Sequence, residues 1–206
     1  MLLHAFIPAS RANGPGLRAV VFFQGCTLDC RGCFNPDTHP FAGTEVTVDA
    51  VADKVLRAHK EHGVEGVTFT GGEPMQQAPA LLELMQTLHQ QLPSCSFGLF
   101  SGYSDLELVL GRYSIWGRDY SEEDRCRLWQ EIREHLDFAV LGRFNETQPC
   151  GMPLCTSRSK ALRMLSSRYG VKDYGPQSVE VIIHYDGRAQ VTMQSARRAA
   201  RHWRVC

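Results

Sequence analysis

The sequence predicts an α/β protein with a mostly parallel sheet. Two observations carry this. Short apolar runs rich in β-branched and aromatic residues alternate with longer segments whose apolar residues recur at helical spacing. In addition, a cysteine loop, a Gly-Gly-Glu-Pro turn and Ser101-Gly102-Tyr103 each follow directly on one of those runs. In parallel α/β folds the active site gathers at the carboxyl ends of the strands.

In chain order, Leu2 to Ile7 and Arg18 to Gln24 read as strands, separated by the turn-forming Asn13-Gly14-Pro15-Gly16. Thr47 is a good N-cap for a helix to about His62, ended by Gly63. Val48, Val51, Ala52, Val55 and Leu56 share one face of it. Gly66 to Thr70 is a strand that runs into Gly71-Gly72-Glu73-Pro74, and a helix from about Ala78 to Leu92 carries Leu81, Leu82, Leu84, Met85 and Leu88. Ser96 to Ser101 is the next strand, and a short helix lies near Asp105 to Leu110. Ser121 starts a helix to about His135, with Glu122 and Glu123 in the first turn, where the helix dipole favours acids. Leu136 to Leu141 is a strand followed by Gly142. Thr147 to Ser159 reads as loop, and Val179 to His184 with Ala189 to Met193 as a hairpin through Asp186-Gly187. There is no internal repeat or low-complexity segment.

Bulk properties narrow the function classes. A chain of 206 residues with 43% hydrophobic and 21% charged residues suits a single domain with its own core. With 22 Lys+Arg against 22 Asp+Glu, nothing in the net charge calls for nucleic acid or an anionic membrane as partner. Arg197, Arg198, Arg201 and Arg204 read as a solvated amphipathic tail. No apolar run is long enough to span a bilayer, and no basic region precedes the apolar start, so a cytoplasmic protein is expected. In a reducing compartment, eight cysteines point to metal or catalysis rather than to disulfides.

Cys26, Cys30 and Cys33 supply three thiols within eight residues. Three thiolates bind three irons of a cubane cluster and leave the fourth iron open to chemistry. A zinc site would want a fourth ligand, and His39 is the nearest candidate. Spacing alone separates the two metals only modestly. Cys95 and Cys126 read as small apolar residues. Cys150 and Cys155 are too few for a second cluster, which leaves a redox pair as the alternative. His4, His135 and His184 fall on apolar elements and read as hydrogen-bonded core residues.

The Cys-x3-Cys-x2-Cys spacing resembles the signature of the radical S-adenosylmethionine superfamily. The flanks, Asn13-Gly14-Pro15-Gly16-x-Arg18 and Gln24-Gly25-Cys26 through Cys33-Phe34-Asn35-Pro36, resemble the glycyl-radical-enzyme activases, above all the anaerobic ribonucleoside-triphosphate reductase activating proteins. The resemblance implies a partial, open β/α barrel of the radical SAM type with a C-terminal β-hairpin. It implies one domain over residues 1–206, with a core to about 145 and an extension over 146–206. It further implies a [4Fe–4S] cluster on Cys26, Cys30 and Cys33, with S-adenosylmethionine as the second cofactor. Thr70-Gly71-Gly72-Glu73-Pro74 resembles the motif that binds the methionine amino group, with Glu73 accepting from the ammonium. Phe34 would lie beside the adenine or lid the cluster, and Ser101 would touch the methionine carboxylate or the ribose. No side-chain acid or base is implied for the cleavage.

An external one-electron donor such as a flavodoxin would reduce the cluster. The sulfonium would then break to methionine and a 5′-deoxyadenosyl radical that abstracts a hydrogen atom from the substrate. The implied substrate is a backbone glycine of a glycyl radical enzyme. Modification of a small molecule or peptide is a second reading, and a non-enzymatic iron–sulfur or zinc module a third. Some residues depart from the family pattern. Gly32 rather than an aromatic precedes the last cysteine, and Leu141 stands where an acid is usual. Ser159 and Lys160 replace the Asn and Gln of the activases' Arg-Gly-Ser-x-Asn-Gln stretch, which weakens a reductase as the particular partner. Extra length falls around Gly111 to Leu136 and at the C-terminus.

Overall fold

A computed structural model describes residues 1–175, 179–183 and 189–193. β1 (Leu3–Ser10), β2 (Arg18–Phe23), β3 (Gly66–Gly71), β4 (Ser96–Ser101), β5 (Phe138–Leu141) and β6 (Ala161–Met164) form one sheet in that order. The inner strands β2 to β5 run parallel, while β1 and β6 pair antiparallel at the two edges. The sheet does not close, so this is the expected open β/α barrel. Continuous apolar runs make the inner strands because both of their faces are covered. In β3, Gly66 to Thr70 are all buried.

The helices lie between the strands as the periodicity predicts: α1 (Val48–His62), α2 (Ala78–Gln91), the short α3 (Asp105–Val109) and α4 (Glu122–His135). Thr47 caps α1 by accepting from the Ala50 amide (3.2 Å), and Gly63 ends it in the left-handed conformation at φ 68°. Ser104 and Ser121 open α3 and α4 with reciprocal capping boxes to Glu107 and Asp124. α2 packs against both α1 and α4. Leu56 is half-buried and Ala58 takes its place in the buried stripe of α1. The additional stretch from Gly111 to Leu136 is therefore an outer layer of the barrel: α4 buries Trp129 and Ile132 in the common core. Replacing Trp129 by Ala is expected to cost about 3–5 kcal/mol of stability through the cavity it leaves. The indole N–H has no hydrogen-bond partner among the described residues, so packing is what is lost. A lower urea midpoint at unchanged slope would show this.

Register sets the strand ends level. Arg18 pairs with Gly66 at one end of β2 and β3, and Phe23 with Gly71 at the other. At the first end the Arg18 guanidinium is buried and donates to Thr68 Oγ1 (2.8 Å) and to the carbonyls of Val67 (2.8 Å) and Ser96 (3.0 Å). Phe138 lies under it, 5.0 Å from ring centroid to guanidinium carbon. Thr68 Oγ1 donates in turn to the Asn13 carbonyl (2.7 Å), so the Asn-Gly-Pro-Gly-x-Arg segment closes the floor beneath the carboxyl ends.

Some expectations need correcting. β1 runs from Leu3 to Ser10 rather than ending at Ile7. β6 was not expected: its Ala-Leu-Arg-Met sequence lacks alternation, its residues are half-buried or exposed, and it exists by pairing with β5. His4 is exposed, with its ring hydrogen-bonded to Gln24 Oε1 (2.8 Å). β7 (Val179–Ile183) and β8 (Ala189–Met193) pair antiparallel with Val181 opposite Val191, as expected of the hairpin. Its turn Asp186-Gly187, His184, the arginine cluster and Cys206 lie outside the described residues.

Candidate active site

The carboxyl ends of β2, β3 and β4 bring the expected residues together. Cys26, Cys30, Cys33, Phe34, Gly71, Gly72, Glu73 and Ser101 all line one cavity.

The cysteine loop is held by its backbone. Gly25 N–H donates to the Thr38 carbonyl (2.7 Å), Cys26 N–H to that of His39 (2.9 Å) and Cys33 N–H to that of Cys30 (3.0 Å). Gln76 grips the loop from the next turn: its Oε1 accepts from Thr27 N–H (3.0 Å) and its Nε2 donates to Thr27 Oγ1 (2.6 Å). Burial pushes the Cys26 thiol up to about 12, with Glu73 and the neighbouring thiols adding to it. Metal loading therefore has to displace that proton. The Cys33 sulfur accepts from Asn35 N–H (3.4 Å).

The turn after β3 presses against this loop. Gly71 has φ +104°, and a Cβ there would lie 2.5 Å from the Phe23 nitrogen. A Cβ on Gly72 would strike the Gly25 carbonyl, so only glycines let the two loops touch. Glu73 N–H then donates to the Gly25 carbonyl (2.9 Å). The Glu73 carboxylate is 1% exposed and accepts from Met75 N–H (3.0 Å), Ser101 Oγ (2.8 Å) and Gly102 N–H (2.7 Å). Burial raises its carboxyl above the ordinary glutamate range, against those three donors and the Arg143 charge. The single hydroxyl proton of Ser101 goes to Glu73, so Ser101 meets a ligand only as an acceptor. Tyr103 packs into the core, its hydroxyl joined to Gln76 Nε2 (2.9 Å) and Ser114 Oγ (2.9 Å).

Phe34 packs on Phe144, ring centroids 4.5 Å apart. Leu141 is buried in the core, so the usual acidic position holds no carboxylate. Arg143 pairs with Glu107 (2.9 Å), donates to the Gly102 carbonyl and lies over the Tyr103 ring at 4.9 Å. His39 does not line the cavity, and its Nε2 is buried without a hydrogen-bond partner among the described residues. It therefore does not complete a zinc site with the three thiols. Among the described residues no three His, Cys, Asp or Glu side chains converge on a single ion. A cubane instead takes each thiolate on a different iron. Three thiols on one short loop, opening onto a cavity with two glycines and a buried glutamate, fit that group.

The sequence reading missed the opposite wall. Leu154 and Thr156, from the segment read as loop, and Lys160, just after it, line the same cavity. Their signal was present only as a departure from the family pattern. Gln76 and Gln77 gave none: they stand at a helix entrance, yet Gln77 binds Leu2 N–H (2.7 Å) and the Gln24 carbonyl (2.8 Å). Cys150 and Cys155 stay outside the cavity lining, and burial raises the Cys155 thiol, with the nearby Cys150 adding to it.

Known proteins agree with this geometry. The family described as a 4Fe-4S single cluster domain matches residues 12–161. The anaerobic ribonucleoside-triphosphate reductase-activating protein of Vibrio cholerae is 31% identical over 152 residues, 72% of this chain and 87% of that protein. The pyruvate formate-lyase-activating enzyme of Clostridium pasteurianum is 35% identical over 112 residues, and this chain spans about half its length, 47%. The solved structure of QueE from Escherichia coli aligns with a TM-score of 0.35 and 18% identity over 50% of this chain and 52% of that one, too partial a likeness to bear on the fold. With three cysteines, a Gly-Gly-Glu turn and these relatives in agreement, the chain belongs to the 4Fe–4S single cluster domain family, in its branch of radical S-adenosylmethionine activating proteins.

Proposed function

We propose that this chain cleaves S-adenosylmethionine at a [4Fe–4S] cluster held by Cys26, Cys30 and Cys33, and so generates a glycyl radical on a partner enzyme. The observation that carries this reading is the meeting of all three cysteines with Gly71, Gly72 and Glu73 in one cavity at the strand ends. When bound, the cluster supplies one electron that breaks a carbon–sulfur bond of S-adenosylmethionine, giving methionine and a 5′-deoxyadenosyl radical. The rest falls to the chain. The thiols give up their protons to hold iron. Gly71 and Gly72 let the methionine end approach the backbone, and Glu73 fixes the two strand ends that flank it. Phe34, Phe144 and Leu28 form an apolar wall that suits an adenine and keeps water from a radical. The electron comes from an external donor such as a flavodoxin, and the chain works in the cytoplasm, a reducing compartment that keeps cysteines available to metal.

The relatives are named for activating pyruvate formate-lyase and a ribonucleoside-triphosphate reductase, which favours a protein substrate. Ser159 and Lys160 leave open which glycyl radical enzyme it is. The test is anaerobic reconstitution with iron and sulfide, then reduction in the presence of S-adenosylmethionine. Methionine and 5′-deoxyadenosine should form in equal amounts, and mixing with the partner should give a glycyl radical signal in electron paramagnetic resonance. A reconstituted cluster that forms neither product would overturn the reading.

A further inference from the structure

We propose that Glu146 clamps the turn between Cys30 and Cys33 and lowers the reduction potential of the cluster those thiols hold. The two cysteines are the first and last residues of one tight turn. Cys33 N–H donates to the Cys30 carbonyl (3.0 Å), and Gly32, the third residue, has φ +74°. A shift of this turn therefore moves two of the three sulfurs relative to Cys26. Glu146 sits on the tip of the turn. Its Oε1 pairs with Arg31 Nε (3.1 Å), and a Cβ on Gly32 would strike its carboxylate.

A braced stretch after β5 puts Glu146 there. Ser159 Oγ donates to the Arg143 carbonyl (2.7 Å) and lies 2.7 Å from Ser157 Oγ, which accepts from Asn145 N–H (3.3 Å). Asn145 Oδ1 accepts from Thr147 N–H (3.0 Å), and Arg158 N–H donates to the Gln148 carbonyl (2.8 Å). Ser159, one of the departures from the family pattern, is thus part of the brace. The two halves of the ion pair are unequal: the Arg31 side chain is 94% exposed and that of Glu146 29%. Water screens the guanidinium more than the carboxylate, which leaves a net negative field at the turn. So exposed a pair adds little stability. Its effect falls on the electron instead. A cluster gains one negative charge on reduction, and a fixed carboxylate beside its loop opposes that gain. A lower potential makes the reduced cluster a stronger donor to a sulfonium. Lys160, near Cys30 and Cys33, acts in the opposite sense from inside the cavity, whereas Glu146 is no part of the cavity lining.

The inference rests on the cluster assignment and is tested without S-adenosylmethionine. The parent, E146Q, E146D, R31Q and the double variant are reconstituted anaerobically and their iron is measured. Redox titration followed by electron paramagnetic resonance of the reduced cluster then gives each midpoint potential. E146Q should raise the reduced-to-oxidised ratio at a fixed potential about three- to tenfold. R31Q should lower it, the double variant should fall between the two, and E146D should stay nearer the parent than E146Q. Both single variants weaken the same ion pair, so a clamp that merely loosens would shift the potential in one direction for both. Shifts of the same sign in E146Q and R31Q, or no shift in E146Q, would overturn the proposal. Should E146Q take up no iron, R31Q decides alone: a lowered ratio supports the proposal and an unlowered one ends it. A parent protein that takes up no iron would instead sink the cluster assignment beneath it.

Discussion

Replacing Cys26, Cys30 or Cys33 by Ala is expected to abolish the cluster, and with it all cleavage of S-adenosylmethionine. With two thiolates left, the cubane loses one of its three protein anchors. Iron and sulfide content should fall to background, and methionine and 5′-deoxyadenosine should disappear together. The fold should survive, because the loop is held by backbone bonds from Gly25, Cys26 and Cys33 and by the Gln76 amide rather than by sulfur. Each variant should therefore unfold within about 1 kcal/mol of the parent. C150A and C155A are the control. Neither residue lines the cavity, so both variants should keep the cluster. A triple variant at Cys26, Cys30 and Cys33 with full iron would place the ligands elsewhere. Retention of one zinc by the parent after iron reconstitution would favour the binding-module reading.

The elements that were legible in the sequence are those that local rules determine. Thr47, Ser104 and Ser121 cap helices by bonds to residues three positions on, and the buried runs of β2 to β4 need no knowledge of their neighbours. The cluster loop and the Gly-Gly-Glu turn were legible because they are contiguous motifs placed just after strands. What escaped was made by contacts distant in sequence. β6 is a strand only because Leu141 and Val140 offer it partners. The Gln76 network joins Thr27, Tyr103 and Ser114, and no spacing within the chain announces it. Lys160 appeared in the sequence as a lapse from a family pattern, and only the pairing of Ala161 with Leu141 brings it to the cavity.

Glu73 shows the difference most sharply. The motif implies a carboxylate that receives the methionine ammonium, whereas in the fold both of its oxygens already serve the protein. Oε1 accepts from Met75 N–H and Ser101 Oγ, and Oε2 from Gly102 N–H, which ties the end of β3 to the end of β4. Glu73→Ala would strand two backbone donors where the side chain is 1% exposed. Unpaired buried donors cost about 1–3 kcal/mol each, so a loss of about 3–5 kcal/mol is expected, including the vacated volume. Glu73→Gln is not a mild control. An amide offers one acceptor oxygen, and whichever way it turns its NH2 faces either the Met75 or the Gly102 N–H. About 1–3 kcal/mol should go there too. Ser101→Ala removes the donor to Glu73 and also the acceptor of the Tyr103 N–H (3.1 Å), and should cost about 1–3 kcal/mol. Denaturant unfolding of the reconstituted variants ranks them, and dialysis of S-adenosylmethionine separates the two roles. If Glu73 acts mainly by pinning the strands, stability and affinity fall together across Ser101→Ala, Glu73→Gln and Glu73→Ala. If Glu73→Gln keeps the parent's stability and loses only affinity, the carboxylate is a direct ligand contact, and the Ser101 and Gly102 bonds are incidental to it.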